Sequence, residues 1–332
     1  MVKSECAETG KNLVVGVGSA LVDLLAHEDD AFIEKTGAVK GGMTLVDKAF
    51  IDQTLAMTSR KPQIVPGGSA CNTVIGIGKL GGAARFVGKR GAGQWGAMFE
   101  KDLIDNNVEP ALFQSDSPTG RVLSIITPDT QRSMFTFLGA SSEADPKDLG
   151  ESCFAGASVV HVEGYLLFNP ELILAALKSA KAAGARVSLD LASFNVVEES
   201  KGFLGEIVSD YVDILIANED EARAYTGCSD EQQAIEKLAE EADIAVLKVG
   251  ERGSFIGQNG NVVAIDPVNP GRAVDTTGAG DLWASGFLYG LVNGYSLEKC
   301  GEIGSACGYE VCQVIGAAIP DEGWERIKRR LP

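Results

Sequence analysis

RVSLDL (186–191), DILIAN (213–218) and IAVLKVG (244–250) are three short apolar runs, each separated from the next by a segment long enough for one helix. Runs that are apolar on both faces predict buried strands. Strands alternating with helices predict a mostly parallel sheet, because a parallel strand needs a crossover to bring the chain back. The same rhythm extends toward the N-terminus. ASVVHVEG (157–164) predicts another strand, followed by a helix from Pro170 to Ala183 that stops at Gly184. NLVVGVG (12–18) and ARFVGKRG (84–91) predict strands, while SACNTVIGIGKLG (69–81) and QWGAMFEKDLIDNN (94–107) carry helical spacing. The expected fold is α/β: one open, mostly parallel sheet sandwiched by helices, with residues 1–332 forming a single domain.

Two regions break the rhythm. Residues 24–50 and 110–138 hold strand-like runs, notably GRVLSIITP (120–128) and RSMFTFLG (132–139), with no helix expected between them. They predict a small β-rich lid inserted into the main domain. With 45% hydrophobic and 23% charged residues, the chain can fill a core of this size. Its net charge of -17 argues against nucleic acid as a partner, since such a surface repels phosphates. No membrane partner is expected either. No stretch approaches the roughly 20 apolar residues of a span, and MVKSECAETGKN (1–12) lacks the apolar run of a signal peptide. Seven cysteines without a CxxC pair, and only two histidines (His27 and His161), point away from a disulfide framework or a zinc site. They fit a reducing, cytoplasmic setting. Cys300, Cys307 and Cys312 read as small apolar residues of one late helix. Monomer and homodimer both stay open.

The chemistry concentrates in DTTGAGD (275–281), which leads into the apolar helix LWASGFLYGLVNG (282–294). Small residues at a helix start leave backbone N–H groups uncovered, and the helix dipole adds partial positive charge, so the turn suits an anion. Asp281 would lie beside that anion, where a carboxylate can take the proton of an attacking hydroxyl. A capped helix with glycines kept for close packing is the plainer reading of the same residues.

DTTGAGD resembles the C-terminal signature of the PfkB family of carbohydrate and nucleoside kinases. PGGSACNT (66–73) and FVGKRGAGQWG (86–96) resemble the family's first signature, and NEDE (218–221), at the end of DILIAN, its Asn-x-x-Glu element. These landmarks stand in the family's order. The resemblance implies a ribokinase-like fold and transfer of the γ-phosphoryl group of ATP to a hydroxyl of a small molecule. It implies Asp281 as general base and the N–H groups of Gly278, Ala279 and Gly280 as the anion hole. Arg132 resembles the lid arginine that reaches the transferred phosphoryl group, and Asn218 with Glu221 the pair that organises magnesium, through water, and the phosphates. Without the resemblance, NEDE reads as a solvated helix start. KVGERGS (248–254) resembles the nucleotide-side turn, which places Lys248, Gly250 and Gly253, with Thr276, at ATP. Asp275, the Thr277 carbonyl and carbonyls near Gly316 occupy positions where many members bind potassium.

On the acceptor side, Asp23 closes GVGSALVD (16–23), where the family places an acid just past the first strand to hold vicinal hydroxyls. An ionised Asp only accepts, which suits two hydroxyl donors. Gly67, Gly68 and Asn72 are expected as further hydroxyl contacts. GSALVD (18–23), KGGMTLVD (40–47), the segment 119–140 and VEGYLLF (162–168) resemble bacterial adenosine-kinase-like members. The expected acceptor is therefore a nucleoside, adenosine at its 5'-hydroxyl. Ser19 stands where the nucleoside branch often has Asn, which keeps a free ketose or aldose such as fructose or ribose as the alternative. Phe135, Phe137, Tyr165 and Phe194 are the aromatics expected to pack a purine or close the lid. GAGQWG (91–96) is also a literal GxGxxG, which makes an NAD-dependent oxidoreductase a distant alternative. The bulk of Trp95 and the lack of a strand-ending acid about 20 residues later count against it.

Overall fold

A computed structural model describes residues 12–37, 40–129, 131–269, 271 and 273–332. The chain runs β1 (Leu13–Val17), β2 (Leu21–His27), α1 (Asp30–Thr36), β3 (Met43–Leu45), α2 (Lys48–Met57), β4 (Gln63–Gly67), α3 (Ser69–Leu80) and β5 (Ala84–Gly91). Next come α4 (Gln94–Asp105), β6 (Val108–Ser115), β7 (Thr119–Ile126), β8 (Arg132–Gly139), β9 (Ala157–Glu163), α5 (Pro170–Ala182), β10 (Arg186–Asp190) and α6 (Phe194–Tyr211). It ends with β11 (Ile214–Asn218), α7 (Glu219–Thr226), α8 (Glu231–Glu241), β12 (Ile244–Lys248), β13 (Ser254–Gln258), β14 (Asn261–Ile265), α9 (Ala279–Val292), α10 (Leu297–Val311) and α11 (Asp321–Lys328).

Nine strands form one sheet in the order β14-β13-β12-β11-β10-β9-β1-β5-β6. Every pair in it is parallel except β12–β13 and β13–β14. Successive side chains on a strand point to opposite faces, and both faces here are covered. Val15, Val160, Leu189, Leu215 and Leu247 pack with α5 to α8 on one side. Val14, Val159, Ile214, Ile216 and Val246 pack with α3, α4 and α9 on the other. That is why the quoted runs are apolar throughout rather than alternating. Helix α9 is apolar nearly all round because α10 covers the side the sheet does not. The two helices touch at Gly286, where a Cβ would lie 2.7 Å from the backbone of Ile303. From β1 the chain passes one way to β5 and β6 and the other way to β9 and beyond. A ligand crevice belongs outside the carboxyl ends of the strands at such a reversal.

A second sheet has five strands in the order β3-β8-β7-β2-β4. One of its faces is packed by Phe32 and Ile33 of α1 and Ile51 of α2 against Val22, Leu24, Leu123, Ile125 and Phe135. The segments 24–50 and 110–138 differ from expectation in two ways. Residues 24–50 are not free of helix. Asp29 and Asp47 accept from the N–H groups of Phe32 and Phe50 and so start α1 and α2, a capping signal that the strand reading passed over. In addition, β6 joins the large sheet at its edge, while the small sheet draws in β4 from outside both segments.

Cys300 and Cys307 are buried in α10 and Cys312 follows at its C-cap, all three free thiols. Residues 1–11, with Cys6 and most of the stretch read as lacking a signal peptide, lie outside the described residues. Among the described residues no helix is long and apolar enough to cross a membrane.

Candidate active site

The carboxyl ends of β9 to β12, the turn after β1, the start of α9 and the open face of the small sheet enclose a cleft of about 840 Å3. Asp281 is at its floor. Gly278, with φ of 72°, turns the chain into α9 without a capping side chain. The Ala279 N–H donates to the Thr276 carbonyl at 3.1 Å, whereas those of Gly278 and Gly280 have no acceptor among the described residues. The anion hole is therefore narrower than the three amides expected, because Ala279 closes the turn itself. One residue past Gly280, Asp281 is half-buried. Its Oδ1 accepts from Ser69 Oγ at 2.7 Å and its Oδ2 from Asn72 Nδ2 at 2.8 Å. Burial raises its pKa above the usual carboxylate range, with the Asn72 and Ser69 hydrogen bonds pulling the other way. Asn72, expected on acceptor hydroxyls, is committed to this carboxylate.

On the β10–β12 side, Lys248 Nζ donates to Asp190 Oδ2 at 2.9 Å. Burial disfavours both charges, yet each stabilises the other. Asp190 is held below the ordinary carboxylate range and Lys248 above the ordinary lysine range. The ammonium also lies against Gly280, where a Cβ would sit 2.9 Å from Nζ. A cation beside amides without acceptors among the described residues suits an anion.

Asn218 and Glu221 form a capping box at the start of α7. Asn218 Oδ1 accepts from the Glu221 N–H at 2.9 Å, and Glu221 accepts from the Asn218 N–H at 2.8 Å and from Asn218 Nδ2 at 2.7 Å. NEDE is thus a helix start, but not a solvated one: Glu221 is 2% exposed and lines the cleft. Burial, with the charge of Asp190 next, pushes its pKa to about 7. Gly250 and Gly253 fall outside the cleft lining. Their turn closes on itself, Gly253 N–H to Gly250 carbonyl at 3.2 Å, and Gly253 is pressed against the Ile265 carbonyl.

The facing wall is the small sheet. Asp23 lies beyond β1, within β2, paired with Val65 of β4 and Val122 of β7. It lies buried against Gly67, where a Cβ would meet Oδ2 at 2.4 Å. Burial raises its pKa to about 6, opposed by Arg132 and reinforced by Asp281. Gly68, the N-cap of α3, lines the cleft. Arg132 opens β8 and donates from Nη1 to Thr277 Oγ1 at 2.8 Å. Thr277 donates through Oγ1 and N–H to Asp275 Oδ1 at 2.8 and 3.0 Å, and the Gly316 N–H donates to Asp275 Oδ2 at 2.8 Å. Thr276 and Thr277 line the cleft, and Asp275 is buried behind them.

The aromatic expectation largely fails, for a reason of register. Along β8, Arg132, Met134, Thr136 and Leu138 face the cleft, so Phe135 and Phe137 point into the small-sheet core. Phe135 sits 5.0 Å from the ring of Phe50. Phe194, at the start of α6, is 45% exposed and outside the lining. Of the four, Tyr165 alone lines the cleft. The apolar wall is made instead by Met43, Leu45, Met134, Leu138 and Phe168. Sequence reasoning also passed over Glu163 and Asp190, which end β9 and β10 in the cleft. Both close a buried strand, the same signal that singled out Asn218. Two glycines of GAGQWG are closed in by protein: a Cβ at Gly91 would lie 2.4 Å from the Ser117 carbonyl oxygen, and one at Gly96 2.0 Å from that of Gly91, whereas Gly93 faces open space.

A sequence profile of the pfkB family carbohydrate kinases matches residues 31–323. The chain belongs to this family. The expected family and ribokinase-like fold are both borne out. This pfkB family kinase is 33% identical to the adenosine kinase of Sinorhizobium meliloti, whose crystal structure matches with a TM-score of 0.86 over 92% of this chain and 95% of that one. It is 32% identical to a probable sugar kinase of Rhizobium etli CFN 42, with a TM-score of 0.90 over 97% and 99% of the two chains. The nucleoside kinase of Methanocaldococcus jannaschii is 28% identical over 267 residues, 80% of this chain and 85% of that one. PfkB family kinases phosphorylate hydroxyl groups of small molecules, with ATP and a divalent metal.

Proposed function

We propose that this pfkB kinase phosphorylates a nucleoside, adenosine at its 5'-hydroxyl, with Asp281 as general base. One observation carries the reading. The carboxylates of Asp23 and Asp281 share a cleft whose lining also holds an apolar group, Met43, Leu45, Met134, Leu138 and Phe168. Two acids suit the hydroxyls of a ribose and its reacting oxygen. An apolar wall suits a flat base and has no use for a free pentose. Lys248 and the free amides of Gly278 and Gly280 would receive the phosphoryl oxygens, and Arg132 stands across the cleft from them. Initial rates of ADP formation with adenosine, ribose and fructose test the proposal. Adenosine should have the highest kcat/KM, and a free sugar turned over about tenfold more efficiently would overturn the nucleoside assignment.

A divalent cation, when bound, offsets the charge on the ATP phosphates. The oxygen donors present fit magnesium, which takes one or two carboxylates and leaves its other positions to water and phosphate. Glu221, through water, would hold it, with Asp190 beside it. Among the described residues no group of three or more His, Cys, Asp or Glu side chains forms a cage, which agrees with that sharing. A potassium ion at the 275–277 loop would rest on carbonyls such as that of Thr277, because both oxygens of Asp275 already accept hydrogen bonds.

Two expectations follow from these assignments. Asp23→Ala should raise the acceptor KM about 10- to 150-fold and leave the ATP KM unchanged, since each hydrogen bond to a charged group is worth about 1.5–3 kcal/mol. Equal rises in both constants would mean that Asp23 supports the fold and not the acceptor. Glu221→Gln should weaken the response of rate to magnesium. Because the folded chain holds the Glu221 proton up to about 7, the wild-type magnesium response should sharpen from pH 6 to pH 8. A variant whose magnesium titrations match the wild type at both pH values would confine Glu221 to its helix cap.

A further inference from the structure

Glu163 is a buried acid at the end of β9 to which the proposed reaction gives no role. The residue is 2% exposed, and its carboxylate is held by two backbone N–H groups, with the Ser19 side chain adding to them. Oε1 accepts from the Ser19 N–H at 2.8 Å and Oε2 from the Ala70 N–H at 3.1 Å. Gly18 makes room for it: a Cβ there would lie 2.2 Å from Oε2. The second contact matters most. Ala70 is in the first turn of α3, where helix N–H groups lack intrahelical partners, and the N-cap, Gly68, has no side chain to satisfy them. Glu163 therefore supplies, from a neighbouring strand, the acceptor that a capping side chain would ordinarily provide. That same first turn carries Ser69 and Asn72, the two donors that hold both oxygens of Asp281. Thr73 adds a third tie, from Oγ1 to the Asp281 carbonyl at 3.1 Å.

We infer that Glu163 is the positioning residue of the catalytic base: by anchoring the first turn of α3 it sets where Ser69 and Asn72 present their donors, and through them the orientation of the Asp281 carboxylate. The inference rests on the assignment of Asp281 as base. Glu163 does not touch the reacting atoms. Its oxygens accept from the backbone N–H groups of residues 19 and 70, and apart from the through-space repulsion between the two carboxylates its effect reaches Asp281 through α3. A Gln at this position has one accepting oxygen where two N–H groups need one each, so its amide nitrogen must confront a donor. The first turn of α3 then loses one of its settings.

The test is a double-mutant cycle on kcat at saturating ATP and acceptor, using Glu163→Gln and the pair Ser69→Ala, Asn72→Ala. Glu163→Gln alone should lower kcat about 10- to 100-fold with little change in the ATP KM, the scale of loss expected when a catalytic group is displaced by an ångström or less. Placed on the Ser69→Ala, Asn72→Ala background it should cost almost nothing more, because the donors it positions are gone. Losses that multiply across the cycle overturn the inference. So does a Glu163→Gln variant that raises the acceptor KM at unchanged kcat, which would make Glu163 a substrate contact. If the Gln variant lacks the wild-type cooperative unfolding transition, Glu163→Asp takes its place, keeping the charge on a stem too short to reach both N–H groups, and the same outcomes decide. An active Asp281→Asn enzyme would instead remove the base assignment. Multiplicative losses alongside an inactive Asp281→Asn enzyme overturn the role of Glu163 alone.

Discussion

Asp281→Asn should lower kcat about 10²–10⁴-fold while ATP still binds, because the change removes the general base and little else. The carboxylate is half-buried with one donor on each oxygen. An amide of the same shape cannot take a proton from a hydroxyl, and its nitrogen would face either Ser69 or Asn72 with a donor where an acceptor stood. Burial raises the Asp281 pKa, which brings the carboxylate closer to the basicity the transfer needs. ADP release with the best acceptor measures the loss, and calorimetric titration with ATP measures what is kept. Residual activity above about a tenth of wild type would take Asp281 out of the base role.

Lys248→Met should produce the largest loss of stability among the cleft residues, about 3–5 kcal/mol, by leaving a buried charge without its partner. Lys248 and Asp190 have side chains only 14% and 9% exposed, and Glu221 adds a second acid to the same pocket. In the wild type Asp190 has its pKa depressed, so the pair contributes stability that is present above the unfolded carboxylate pKa and lost as pH falls through the folded one. Without Lys248 the sign reverses. Burial then raises the acids, their charged forms cost stability at neutral and alkaline pH, and protonation relieves the cost. Urea unfolding of the two proteins should therefore show a gap that widens from pH 5 to pH 8. A gap under about 1 kcal/mol at pH 8 would mean that the pair behaves as an exposed one.

The large sheet was legible because each of its central strands is covered on both faces, and DILIAN carries that burial in four consecutive residues, Ile214 to Ala217. The small sheet was harder to read. It has one core face and one cleft face, so the side a residue takes depends on a register that composition does not reveal. Phe135 and Phe137 drew attention as aromatics, but the cleft took the even-numbered residues of β8, and two of those are Met134 and Leu138. Arg132, singled out by the resemblance, shares their parity and lines the cleft. Phe194 was named with them as an aromatic, yet at the start of α6 it is exposed. The polar floor was half legible. Asp281 and Glu221 belong to recognisable local patterns. Glu163 acts on Ser19 and Ala70, distant in sequence and met only once β9 lies beside β1.

The way the small sheet is threaded has a bearing on how the protein comes to be active. Its central pair joins Leu21 of β2 to Gly120 of β7, with β4, α3, β5, α4 and β6 all lying between them in the chain. Closing so long a segment is slow and entropically costly if attempted directly. The large sheet shortens the distance to be closed. Once β1 pairs with β5, and β5 with β6, the ends of β1 and β6 hold the starts of β2 and β7 near each other. The expected order of closure is β1, β5 and β6 first and β2 against β7 after them, so the wall that bears Asp23 and Arg132 is completed on strands already paired.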